Sequence, residues 1–231
     1  MSISKLRRWG LILASLGVLG ILVLHALVFF WVPTEATQGI IQMIFYVHVP
    51  AATVAMYLAF GILALVSALY LWLGDDMLDQ AGVSAAEGGM VFTTVVLLTG
   101  PLWGKIAWGT YWAWDPRLTL TLLLWFIYLG YFLVRASTQN PERGKRFAAV
   151  VGIVGALDIP LIHMSVVWFR SLHPGPVVMK PGSPTLAPQM LTTFMVGMFS
   201  FILLFLGLFA LRFALEIANR TAAVRARAAQ T

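Results

Sequence analysis

Apolar positions along this chain gather into six long runs, over about 10–32, 48–73, 88–108, 118–134, 147–169 and 188–211. A helix needs roughly 20 apolar residues to cross the hydrocarbon core of a bilayer, and most of the runs reach or exceed that length. The pattern predicts an all-α fold: a polytopic membrane bundle of six transmembrane helices, one integral-membrane domain over 1–231. The third run is the least clean, solidly apolar to residue 100 and mixed from there to Trp108. The first follows Lys5, Arg7 and Arg8 as a signal peptide would. Its apolar core is too long for one and no A-x-A site follows, so it reads as an uncleaved span. No heptad, fixed-period repeat or low-complexity tract is present.

Composition narrows the function classes. Hydrophobic residues are 60% of the chain and charged residues 10%, with a mean hydropathy of +0.88. Globular proteins carry roughly 45–50% and 25%, so no separate soluble domain fits between the spans. The net charge of +6 sits in small clusters beside apolar runs, which is no nucleic-acid signature. Zero cysteines exclude a thiol nucleophile, a disulfide, an iron–sulfur ligand set and a C-x-x-C-H site for covalent haem. The G-x-x-x-x-G-K-[ST] loop is also missing, so this chain does not hydrolyse ATP by that route.

Basic residues set the orientation. With the N-terminus inside, the inner segments hold Lys5, Arg7, Arg8, Arg135, Arg143, Lys145, Arg146, Arg212, Arg220, Arg225 and Arg227, against Lys105, Arg117, Arg170 and Lys180 outside. Eleven against four predicts that both termini are cytoplasmic. The acidic stretch with Asp75, Asp76, Asp79 and Glu87 reads as a solvated inner connector.

Unusual composition is confined to the outer segments. Residues 101–117 contain Trp103, Trp108, Trp112 and Trp114. Residues 170–187 contain Pro174, Pro176, Pro181 and Pro184 with Gly175 and Gly182, which predicts a stiff extended loop. In W-G-T-Y-W-A-W-D-P-R-L-T, over 108–119, a spacing of about 100° per residue puts Trp108, Tyr111, Trp112 and Asp115 on one helical face. Pro116 would end that helix at Asp115. The expected element is a short amphipathic helix on the outer surface, an aromatic platform with Arg117 beside it. An interfacial aromatic belt accounts for the tryptophans as well; their clustering in one loop favours a platform for a large flat ligand with charged edges.

The four histidines divide by depth. His25 lies well inside the first span and reads as bonded to a backbone carbonyl; His163 lies inside the fifth and reads as a polar contact of the bundle. His48 opens the second span and His173 follows the fifth, both at the face of the tryptophan loop. Two imidazoles flanking an aromatic shelf can hold a metalloporphyrin iron from both sides; solvated loop histidines are the plainer reading. Asp158, within the fifth span, reads as satisfying backbone donors freed near Pro160.

Together, W-A-W-D-P-R-L-T, Y-V-H-V-P-A over 46–51, P-L-I-H over 160–163 and S-L-H over 171–173 closely resemble the haem exporter protein C family. These are haem-handling proteins of cytochrome c assembly with a tryptophan-rich "WWD" signature. The resemblance covers nearly the whole length. Tyr111 stands where tryptophan is common, and Pro116 where a small residue is common. What the resemblance implies is a bacterial inner-membrane protein that binds haem b at the periplasmic face and delivers it to a membrane-anchored haem chaperone, a carrier and not an enzyme. It further implies His48 and His173 as iron ligands, and a platform of Trp103, Trp108, Gly109, Tyr111, Trp112, Trp114, Asp115 and Arg117. Its partners would be the ATPase and membrane subunits of an ABC transporter, a small single-span subunit and the chaperone. Arg117 or Arg170 would face the haem propionates, and the Pro-rich loop after His173 could act as a lid. The main alternative is a b-type cytochrome subunit, which needs paired mid-membrane histidines. A small-molecule permease would need inverted halves, and a lyase-like role in haem attachment stays open.

Overall fold

The structure is a computed structural model describing residues 2–169, 171–175, 182 and 185–229. Among these, eight α-helices form: α1 Ile3–Phe30, α2 Phe45–Thr53, α3 Phe60–Leu73, α4 Asp76–Trp108, α5 Pro116–Ser137, α6 Pro141–Gly155, α7 Asp158–Trp168 and α8 Pro188–Ala228. They make six segments long and apolar enough to cross a membrane, because two segments are compound. The second, Ile40–Leu73, joins a 3-10 turn (Ile40–Ile44), α2, a π-helical turn (Val54–Ala59) and α3. The fifth, Pro141–Trp168, joins α6 to α7 across a break at residues 156–157. Pro160 explains the break, since in a continuous helix its ring would meet the carbonyl four residues earlier, at Ala156. The chain is thus a multi-pass membrane protein, with helices and no strands among the described residues.

Helices α1, α4, α5 and α6 begin earlier than their apolar runs, each behind a side-chain cap. Asp75 accepts from the Met77 amide at 2.8 Å, so α4 starts at Asp76 and the expected acidic connector is its first turns. Nor are its carboxylates merely solvated, which corrects the reading of Asp79 and Glu87. Asp79 accepts from both terminal N–H groups of the Arg135 guanidinium, at 2.5 and 2.9 Å. Glu87 pairs with Arg212, and Asp76 with Arg220 and with Lys145, the last at 2.7 Å. These cations come from α5, α6 and α8, so ion pairs clamp the bundle at the end where α1 begins and α8 finishes.

Elsewhere small residues do the packing, as expected where lipid removes the hydrophobic drive between helices. Helices α1 and α8 run antiparallel in backbone contact: a Cβ on Gly17 would stand 2.6 Å from the Leu204 Cα, and Gly207 rests against Ala14. Along α4, Gly88 and Gly89 make room for Phe205 and for the Tyr128 ring. Two packed clusters result. One gathers Leu24, Phe45, Tyr46, Phe92, Phe201 and Phe205 from α1, α2, α4 and α8; the other gathers Phe60, Leu63, Leu124, Tyr128 and Ile162 from α3, α5 and α7. Between them, towards the tryptophan-rich connection, lies a cleft.

Candidate ligand cleft

The cleft has a volume of about 680 Å³, within the range of cofactor-sized sites. Its walls come from α2, the π turn, α4, α5, α7 and the first turns of α8, and are mainly apolar, with Phe45, Met56, Leu124 and Phe194 among them. Into it project three of the chain's four histidines, His48, His163 and His173, together with Tyr57, Arg117 and three tryptophans, Trp103, Trp108 and Trp112.

His48 and His173 are prepared in the same way. The His48 Nδ1 lies 2.9 Å from the Thr99 hydroxyl oxygen, whose single proton is already donated to the Val95 carbonyl at 2.7 Å. Thr99 therefore accepts, His48 carries its proton on Nδ1, and Nε2 keeps its lone pair. The His173 Nδ1 lies 3.0 Å from the Pro174 carbonyl, which can only accept, so Nε2 is again the basic nitrogen. Burial in the cleft, reinforced by the Arg117 guanidinium, holds the His173 pKa down to about 4. At pH 7 this ring is neutral and has no proton to shed before binding a metal. A fixed Nδ1–H donor with a free Nε2 is the usual arrangement of a metal-binding imidazole. The sequence places His48 at the opening of its span; in the structure it sits eight residues inside it, 8% exposed, with its ring and the Trp103 indole in an edge-to-face contact at 5.8 Å.

The expected short surface helix over 108–115 does not form. Helix α4 runs through Pro101 to Trp108, and Gly109, at φ +78°, turns the chain out of it. Asp115 then caps α5 by accepting from the Arg117 amide at 2.9 Å, with Pro116 in the first turn. Stop and start signals at both ends leave residues 110–114 as a non-helical connection, and this splits the predicted platform. Trp108 and Trp112 stay on the cleft wall. Tyr111 is 58% exposed with the Lys105 ammonium 5.3 Å from its ring, and Trp114 is 78% exposed, touching only the Trp112 edge among aromatic rings.

Asp115 lies behind the wall, 6% exposed. Besides capping α5, it accepts from the Ser171 hydroxyl at 3.0 Å and the Leu172 amide at 2.8 Å. Ser171 in turn accepts from the His173 amide at 3.1 Å. One carboxylate thus pins the S-L-H segment to the W-D-P-R segment and sets where His173 stands. Arg117, two residues on, turns into the cleft; among the described residues its guanidinium has no hydrogen bond or ion pair. The Trp112 indole N–H is likewise buried without a partner. The cleft therefore offers two basic nitrogens, aromatic walls and the Arg117 guanidinium.

Residues 2–228 match the heme exporter protein C family. Proteins of that name from Bradyrhizobium diazoefficiens and Haemophilus influenzae are similar to this chain, at 38% identity over 81% of it (71% of the relative) and 33% over 90% of it (83% of the relative). The Escherichia coli protein is 33% identical over 76% of this chain and 70% of its own length. The chain belongs to the heme exporter protein C family.

One polar residue of this family member, Tyr57, reaches the cleft without having stood out in the sequence. Tyr57 lies in the π turn, which breaks the regular helical period, and its hydroxyl is 2.7 Å from the His163 Nδ1. His163 therefore has its polar contact, and that contact lies on the cleft wall. His25 is bonded to the Ile21 carbonyl at 2.7 Å and does not line the cleft. Asp158 departs from expectation: both carboxyl oxygens are buried with no hydrogen-bond partner, so it satisfies no backbone donor near Pro160. Arg170, Lys180, Pro176, Pro181 and Pro184, and with them most of the expected lid, lie outside the described residues.

Proposed function

We propose that this protein holds haem in the cleft at the periplasmic face of the bacterial inner membrane and delivers it to a membrane-anchored haem chaperone during maturation of c-type cytochromes. The observation that carries this reading is the pair of matched imidazoles, His48 from α2 and His173 from the segment after α7, each with Nδ1 engaged and Nε2 free in one cleft. Haem is the cargo. Its iron would sit between these two nitrogens, its ring against Trp103, Trp108 and Trp112, and a propionate near Arg117. With no cysteine in the chain, the haem is held as haem b, without a thioether bond. Trp114, Tyr111 and Gly109, exposed beside the cleft, form the face that meets the chaperone. Asp115 acts on the cargo through His173.

Release then needs an energy source from outside this chain, which fits a complex with the two ABC transporter subunits and a small single-span subunit. The role is that of a carrier within one haem-handling unit. Nothing favours the b-type cytochrome: His25 lies outside the cleft that His163 lines, so the mid-span histidines do not form a pair. When the haem-loaded protein is mixed with the chaperone, the haem absorption band is expected to leave this protein and appear on the chaperone. Haem that stays through repeated reduction and oxidation would make it an electron carrier instead.

The orientation has its own check. Single cysteines can be labelled with a membrane-impermeant thiol reagent in this cysteine-free chain. Ala36→Cys should label from the periplasm and Arg143→Cys should not; the reverse pattern would turn the protein over.

A further inference from the structure

The π turn and α7 meet at a polar pair that the iron-binding arrangement does not use. Tyr57 and His163 are 2.7 Å apart, hydroxyl to Nδ1, on the cleft wall. A neutral tyrosine and a neutral histidine carry two such protons between them. Their mutual bond consumes one, so one donor is left over. Arg117, whose guanidinium has no hydrogen bond or ion pair among the described residues, lines the same cleft. With the proton of His163 on Nδ1 and given to the tyrosine oxygen, the Tyr57 O–H is the free donor, in a cleft that Arg117 also lines. Tyr57 lies nine residues beyond His48 on the same membrane segment. A carboxylate at that depth is costly unless it is paired and hydrogen-bonded.

We propose that Tyr57, oriented by His163, is a carboxylate-binding hydroxyl that works with Arg117 to receive one propionate of the haem, and so fixes which edge of the ring points into the membrane. The proposal rests on the haem reading above. Tyr57 touches the cargo; His163 is a positioning residue. The plainer role for the pair is a latch, since α7 packs chiefly on α5 and this bond ties it to the second segment.

The two roles separate by comparing two ligands on the purified full chain in nanodiscs: haem, and haem whose two propionates are methyl esters. Tyr57→Phe keeps the ring and should weaken haem binding by about tenfold, one charge-assisted hydrogen bond, while leaving diester binding and the axial spectrum unchanged. His163→Leu should move the same ratio in the same direction, and His163→Gln, whose amide N–H can hold the tyrosine oxygen, should restore it. Equal weakening of both ligands would leave only a latch, and an altered axial spectrum in either His163 variant would make that residue an iron ligand; either result overturns the proposal. If the unaltered protein binds neither ligand, the haem reading itself falls. If it binds both and the variants do not discriminate, this inference alone falls.

Discussion

His48→Ala and His173→Ala are each expected to remove one axial nitrogen and with it the six-coordinate spectrum of bound haem. Neither hydrogen-bond partner can take over: that of His48 is Thr99, whose proton is committed to Val95, and that of His173 is the Pro174 backbone carbonyl. Haem affinity should fall by at least about tenfold, or 1.4 kcal/mol, and transfer to the chaperone should cease. His48→Ala carries an added structural cost, because His48 is buried and packs edge-on against Trp103. His173→Ala has little such cost, which makes it the cleaner variant. Haem titration followed by visible absorption measures both, and unchanged affinity in both variants would remove the iron from this cleft.

Asp115→Ala should come close to His173→Ala although Asp115 lies behind the cleft wall. The substitution deletes the cap of α5, worth about 1 kcal/mol, and two hydrogen bonds from Ser171 and Leu172 to a buried carboxylate, each worth about 1.5–3 kcal/mol. Part of that is recovered when the freed donors reach water. A net loss on the order of 3 kcal/mol in anchoring His173 would lower its in-place population, and apparent haem affinity, by about 100-fold. Asp115→Asn, which keeps one acceptor oxygen, should fall between. The discriminating readout is ligation: the haem remaining on Asp115→Ala should show a single strong histidine ligand. Weaker binding with both axial ligands intact would mean that Asp115 acts on the cargo by another route.

The spans were legible because hydrocarbon imposes length, and the family because its motifs are linear in sequence. Local chemistry was less so. Gly109 and Asp115–Pro116 are strong stop and start signals, yet helical periodicity through Trp108, Tyr111 and Trp112 spoke louder than it should have. Asp79 and Glu87 looked solvated because their partners, Arg135 and Arg212, are 56 and 125 residues away in the chain. Tyr57 was invisible for a different reason: a π turn shifts the face a residue presents, and nothing in V-A-M-Y-L-A announces one. The pinning of His173 by Asp115 crosses between two segments that sequence reading treats as separate loops.

Whether one haem iron sits between His48 and His173 is tested most directly by electron paramagnetic resonance of the ferric haem complex. The unaltered protein should give the low-spin signal of two imidazole ligands. That signal should persist in His25→Ala and His163→Leu and be lost in both His48→Ala and His173→Ala. A signal that survives removal of both outer histidines and disappears with a mid-span one would contradict the account and place the haem inside the bilayer.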